Sequence, residues 1–178
     1  MSPARTRHQH PLSPRIRVVG DPILTRRCQR VGKINDLARR VIADLKATLL
    51  EVGGAGLSAP QIGSNLCIIG IRTGAVAKVI INPEIVGISG ERLVATERCL
   101  SIPGMQFDIE RPVSCKWRGL DEKGRKLSGE ASGWSARVLF HETEHTYGLL
   151  ISELARRQAQ RPPTHIPIVG EEAVASAS

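Results

Sequence analysis

Aromatic residues are nearly missing from this chain of 178 residues: two Trp, one Tyr and two Phe, 3% of the total. Hydrophobic residues still make up 41%, so aliphatic side chains have to fill the core. No apolar run approaches the roughly 18 residues of a membrane-spanning helix, and no membrane partner is expected. The N-terminal stretch lacks the apolar segment of a secretory signal. Cys28, Cys67, Cys99 and Cys115 form no CxxC pair and no framework pattern. That speaks against a disulfide scaffold and for a reducing, cytoplasmic location. Cys67, in the run Leu66-Cys67-Ile68-Ile69, reads as a buried free thiol. The glycine-rich stretch 53–63 has no Gly-Lys-Ser/Thr ending and no GxGxxG opening a helix, which excludes a phosphate loop.

Acidic residues are absent from residues 1–15. The net charge of +8 arises entirely in the first 40 residues, where ten Lys/Arg face only Asp21 and Asp36. Beyond residue 40 the signs balance at fifteen each, so no specific nucleic-acid site is expected. The Pro/Arg/His-rich segment 1–15 reads as a disordered basic tail. A solvated extension is the plain reading; a contact with the ribosome or RNA, or a transit-like segment, are the alternatives. Residues 158–178, with Arg161-Pro162-Pro163, read as an irregular tail. One domain remains, over residues 16–157, long enough to bury a core.

Within that domain, Leu37, Val41, Ile42, Leu45 and Leu49 form an apolar stripe at helical spacing from Asn35 to about Val52. Asn35 can cap its start and Gly53-Gly54 its end. Short strands are expected over Leu66–Ile71, Lys78–Ile81, Ile85–Ile88 and Val113–Trp117. Asp121–Gly124 reads as a hairpin turn before Lys126-Leu127. A second helix is expected from about Gly133 to Tyr147, ending at Gly148. The order predicts an α+β fold: an N-terminal helix, then antiparallel β-sheets packed around a central C-terminal helix.

That second helix carries His141-Glu142-Thr143-Glu144-His145. Two histidines four apart lie on one helical face, and their imidazoles can grip one ion. Glu142, beside the first, can reach a water bound to that ion. Catalytic sites of this type use three protein ligands. Downstream, neither Glu153 nor His165 has the metzincin spacing. Upstream, Cys99 sits where a strand end runs into the turn Leu100-Ser101-Ile102-Pro103-Gly104, and it completes a Cys-His-His set. A third segment, Gly54-Ala55-Gly56-Leu57-Ser58-Ala59-Pro60-Gln61, has small residues that admit another backbone and a glutamine amide able to hydrogen-bond a carbonyl oxygen.

With these three motifs in this order, the chain resembles the peptide deformylases, whose motifs are GxGLAAPQ, EGCLS and HExDH. Supporting similarity runs through Gly20–Leu24, Ile81-Asn82-Pro83, Arg111-Pro112-Val113 and Gly133–Arg137, and so covers about residues 16–157. The resemblance implies a metal-dependent hydrolase that removes the formyl group from formyl-methionyl peptides and releases formate. Cys99, His141 and His145 would bind one divalent metal, Fe2+ first, with Zn2+ or another divalent ion as alternatives. Glu142 would be the acid/base, and Gln61 with the Leu100 backbone N–H would stabilise the oxyanion. Ala55, Gly56, Leu57, Arg98, Trp134 and Val138 would meet the substrate, an N-formylated peptide such as a nascent chain at the ribosome.

Several positions depart from the family pattern. Arg98 replaces the glycine before the metal cysteine, which raises the prospect of backbone strain or of a contact with Glu97 or a substrate carboxylate. Glu144 replaces an aspartate, Ser58 an alanine and Phe140 a glutamine, and Thr146-Tyr147-Gly148 follows the second histidine. Trp134 would reshape a pocket that takes methionine. Two alternatives therefore stand beside the deformylase reading: a specialised homologue acting on another formyl amide, and a metal-binding protein without turnover because of Arg98.

Overall fold

A computed structural model describes residues 16–160; the segment 1–15 and the chain from 161 onward lie outside the described residues. Helix α1 spans Asp36–Val52, and the Asn35 side chain accepts a hydrogen bond from the Ala38 N–H at its start. Gly53, at φ 68°, ends it in the left-handed conformation. Val41, Ile42, Leu45 and Leu49 are buried as the stripe predicts, but Leu37 at the first turn is exposed.

After α1 come the short strand β1 (Gly56–Ser58), a 3-10 turn over Ala59–Ile62, then β2 (Ile68–Thr73) and β3 (Val76–Ile88). β3 joins the two strands expected at 78–81 and 85–88. Pro83, which has no N–H for a ladder, is accommodated by register shifts between Ile81 and Glu84 and between Ile85 and Gly87. Next stand β4 (Arg92–Arg98), of which the sequence predicts only the end at Cys99, and β5 (Gln106–Pro112), which it does not predict, followed by β6 (Ser114–Leu120) and β7 (Lys126–Ser132). Helix α2 covers Gly133–Thr146, and a short α3 covers Ile151–Ala159. α3 carries regular structure two residues past the boundary expected at 157.

Five strands form one antiparallel sheet in the order β1-β2-β3-β6-β7, and β4 pairs with β5 in a separate two-stranded sheet. Side chains alternate across the large sheet. Ile68 and Ile81, opposite each other, join the α1 stripe, with Val79 and Leu57. Ile69 and Ile80, the next pair, turn to the other face and pack on Ala136, Leu139 and Phe140 of α2. The two helices thus flank one sheet, and α2 lies between it and the β4–β5 ribbon, whose Leu93, Ala95 and Ile109 carbonyls accept from Arg137 of α2. This is a mixed fold of helices and antiparallel sheets. Gly148 (φ 75°) closes the end of α2 against the turn at Pro22–Thr25: a Cβ there would stand 2.6 Å from the Thr25 carbonyl oxygen. Among the described residues no helix is long and apolar enough to cross a membrane.

Candidate active site

Strand β4 delivers Cys99 at its end, and α2 delivers His141 and His145 one turn apart. One ligand atom from each of the three lies within 4.8 Å of the other two, and Cys99 Sγ is 3.3 Å from His145 Nε2. All three residues are buried. His141 turns its Nδ1 to Glu97 Oε2, 2.9 Å away, which directs Nε2 to the cluster. Burial opposes charge on His141, but its hydrogen bonds to Cys99 and Glu97 outweigh that and raise its pKa to about 10. Burial, helped by the charge on His141, pushes His145 well below the ordinary imidazole range, towards the neutral form that binds metals. One sulfur and two imidazole nitrogens, with a carboxylate alongside, suit a transition-metal ion.

Glu142 is buried beside this set, and its Oε2 has no hydrogen-bond partner. Burial pushes its pKa up to about 7. Its neighbour across the cleft is Gly56, where any Cβ would stand 2.6 Å from Glu142 Cγ and Oε1. Gln61 is held from both ends. Its Oε1 accepts from the N–H and hydroxyl of Ser58, both at 2.9 Å, and its Nε2 donates to Ser101 Oγ at 3.2 Å and lies 3.7 Å from Cys99 Sγ. The Ser58 hydroxyl therefore has a partner, and the glutamine presents its donor end to the sulfur.

Behind the three candidate ligands lies a buried charge network. Glu97 receives Arg111 through two nitrogens and Arg137 at 2.7 Å, besides His141. Arg111 continues to Glu144 with bonds of 2.7 and 2.9 Å. Burial alone would raise the Glu97 carboxyl, but the hydrogen bonds from His141 and Arg111 outweigh it and hold its pKa down to about 2. Arg111 is buried too; its bonds to Glu97 and Glu144 overcome the cost of burial and keep it charged.

A cleft of about 920 Å³ opens onto Cys99, His141 and Glu142. Gly54, Ala55 and Gly56 line one side, and Arg98 and Leu100 are among its other lining residues. Val138 lines it and is nearly buried; Trp134 also lines it but is 62% exposed, so it stands at the mouth and does not fill the interior. Leu57 is a correction: its side chain is fully buried in the core under α1, as strand alternation requires, and does not line the cleft. The strain considered for Arg98 does not arise. Asn82 is the one non-glycine with positive φ among the described residues, and Arg98 is an exposed strand residue bonded to Gln106 at 3.0 Å, not to Glu97. Sequence reasoning missed Glu97, Arg111 and Arg137 as a unit; the visible signal was three charged residues beside or within the motifs and the similarity segments.

Known proteins are similar to this chain over most of its length. The family model described as Polypeptide deformylase matches residues 14–161. A peptide deformylase of Dictyoglomus thermophilum is 39% identical over 140 residues, 79% of this chain and 91% of that protein. One from Natranaerobius thermophilus is 36% identical over 152 residues, covering 85% of this chain and 97% of the relative. Among solved structures, the peptide deformylase of Thermotoga maritima superposes with a TM-score of 0.77 at 36% identity, over 80% of this chain and 97% of that one. The Synechococcus elongatus enzyme, in complex with actinonin, gives 0.75 at 34% identity over 79% of each chain. The chain belongs to the peptide deformylase family.

Proposed function

We propose that this chain hydrolyses the N-formyl amide of formyl-methionyl peptides, releasing formate and a free amino terminus. One observation carries the reading: the ligand atoms of Cys99, His141 and His145 converge within 4.8 Å at the cleft, beside a Glu142 carboxylate with an unpartnered oxygen. Those three side chains would hold one divalent ion, Fe2+ first, with Zn2+ or another as alternatives. When bound, such an ion supplies Lewis acidity that makes water a nucleophile near neutral pH.

The protein's own groups do the rest. Glu142 takes a proton from the attacking water and delivers it to the departing nitrogen as the C–N bond breaks. Gln61 Nε2 and the Leu100 N–H donate to the formyl oxygen as it becomes an oxyanion, a contribution of roughly 3 kcal/mol for each donor. The Arg72 N–H donates to the Ala55 carbonyl, so Gly56, the next residue on this edge strand, turns its own N–H and C=O to the open side. An extended substrate can pair there as an added strand, with Ala55 alongside. Val138 and Trp134 would border the methionine side chain. The domain we assign to this activity is 16–157, and α3 extends it. The location we assign is the cytoplasm, where the four free thiols stay reduced and formylated nascent chains leave the ribosome.

The test is formate release from formyl-Met peptides, with bound metal measured in the same sample. The parent should turn over, and Glu142→Ala should lose about 10²- to 10⁴-fold in kcat while keeping its metal. A metal-loaded parent that releases no formate, or releases it equally with Glu142→Ala, overturns the reading.

A further inference from the structure

Among the described residues that line the cleft, Arg98 is the one cation that the reaction does not use and that forms no ion pair with a carboxylate. It follows Glu97 on β4, and strand alternation sends the two side chains opposite ways. Glu97 goes inward to the buried network, and Arg98 goes outward to the cleft lining. The other charged groups lining the cleft are committed. Arg137 is spent on Glu97 and on backbone carbonyls, Glu97 on two arginines and a histidine, and Glu142 on proton transfer. Among the described residues, the Arg98 guanidinium has one hydrogen-bond partner, the neutral Gln106 side chain across the β4–β5 pair. A guanidinium has five N–H donors, so most remain available.

Exposed apolar residues share the cleft lining with Arg98, Met105 at 54%, Trp134 at 62% and Leu100 at 39%, beside the polar Thr96 and Gln106. The carboxylate on the same ribbon face, Asp108, is held by the Thr96 hydroxyl at 2.6 Å and makes no ion pair with Arg98, so the planar cation at this rim is suited to a carboxylate brought by a ligand. A peptide whose formyl end sits at Glu142 and whose backbone pairs with Gly56 advances about 3.3 Å per residue. Its second and third side chains then lie about 3 and 7 Å beyond the methionine, on alternate faces, within the same cleft that Arg98 and Leu100 line.

We propose that Arg98 makes this chain prefer formyl-methionyl peptides with aspartate or glutamate at the second or third residue, a preference that rests on the deformylase reading above. Arg98 contacts the substrate in the ground state and the transition state alike, so the preference appears in KM and leaves kcat unchanged.

The experiment uses the full metal-loaded chain and C-terminally amidated formyl peptides, so that the side chain alone carries the charge. Each glutamate peptide is paired with its glutamine isostere, at the second and at the third position. At low salt the parent should show a kcat/KM ratio of about two- to fivefold for glutamate over glutamine at one of these positions, the range of an exposed ion pair. In about 1 M salt, where the screening length is roughly 3 Å, the ratio should fall towards one. It should also approach one in Arg98→Gln and drop below one in Arg98→Glu. Ratios taken within each enzyme cancel any general loss in a variant. Equal ratios in the parent, Arg98→Gln and Arg98→Glu, with all peptides turned over, overturn the specificity and leave the deformylase reading standing. No turnover of any formyl peptide by the metal-loaded parent overturns that reading itself, and the specificity with it.

Discussion

A methyl group on Gly56 would stand 2.6 Å from both Cγ and Oε1 of Glu142. Carbon atoms in contact rest at about 3.5 to 4.0 Å, so in Gly56→Ala the carboxylate has to retreat by roughly 1 Å. It has little room, because Glu142 is 5% exposed and lies in a helix whose neighbouring residue His141 is pinned to Glu97. Gly56 is not among the glycines with positive φ, so alanine suits its backbone and the damage is local. A catalytic group displaced by about 1 Å costs on the order of 10²-fold in rate. That corresponds to roughly 2.7 kcal/mol on the barrier. Formate release by Gly56→Ala beside the parent reads this loss; elemental analysis and thermal unfolding check that the metal and the fold are intact. The loss should fall in kcat, and Gly56→Ala combined with Glu142→Asp should lose less than the product of the two single losses, because the shorter side chain relieves the contact. A folded, metal-replete Gly56→Ala enzyme within about threefold of the parent in kcat/KM would refute the confinement of Glu142 and its role as the acid/base.

Four further outcomes follow from the same geometry. Glu97→Gln leaves the Arg111 and Arg137 guanidiniums buried against a neutral amide, and should cost about 3–5 kcal/mol, read as a lower urea midpoint; an unchanged midpoint would show the network to be dispensable. The Glu97 carboxyl falls from 4.5 to about 2 on folding, so its stabilisation is present above pH 4.5 and lost as the pH drops towards 2. The parent's urea midpoint should fall across that window, and Glu97→Gln should lack this component. Ser58→Ala should stay within about threefold of the parent, since Gln61 Oε1 keeps the Ser58 N–H, whereas Gln61→Ala should lose about 10²- to 10³-fold in kcat. Dialysis against a chelator should abolish formate release and a divalent ion should restore it; Cys99→Ala should fail to retain stoichiometric metal, and retention would exclude Cys99 as a ligand.

The groups we propose to react were easier to read in the sequence than the frame that supports them, and the reason is physical. His141, Glu142 and His145 must occupy neighbouring positions on one helical face, so their spacing is written directly into the chain. Cys99 and Gln61 come from other elements, but each sits in a short segment of small or turn-forming residues, which leaves a local signature. The β4–β5 ribbon has no such signature, because its pattern is inverted. Leu93 and Val94 are each 59% exposed, while Glu97 on β4 and Arg111 on β5 are each 3% exposed. A search for alternating apolar residues reads that arrangement as a charged loop. Burying Glu97 is tolerable only because Arg111 arrives from β5 and Arg137 and His141 from one face of α2, and no short window of sequence contains all four. α3 escaped for a milder version of the same reason: of its nine residues only Ile151 is buried, too few to show a period. The network nevertheless has a consequence for the chemistry. By holding the His141 ring through Nδ1, Glu97 fixes which nitrogen faces Cys99, so the candidate metal-binding set depends on residues that no metal-binding motif would reveal.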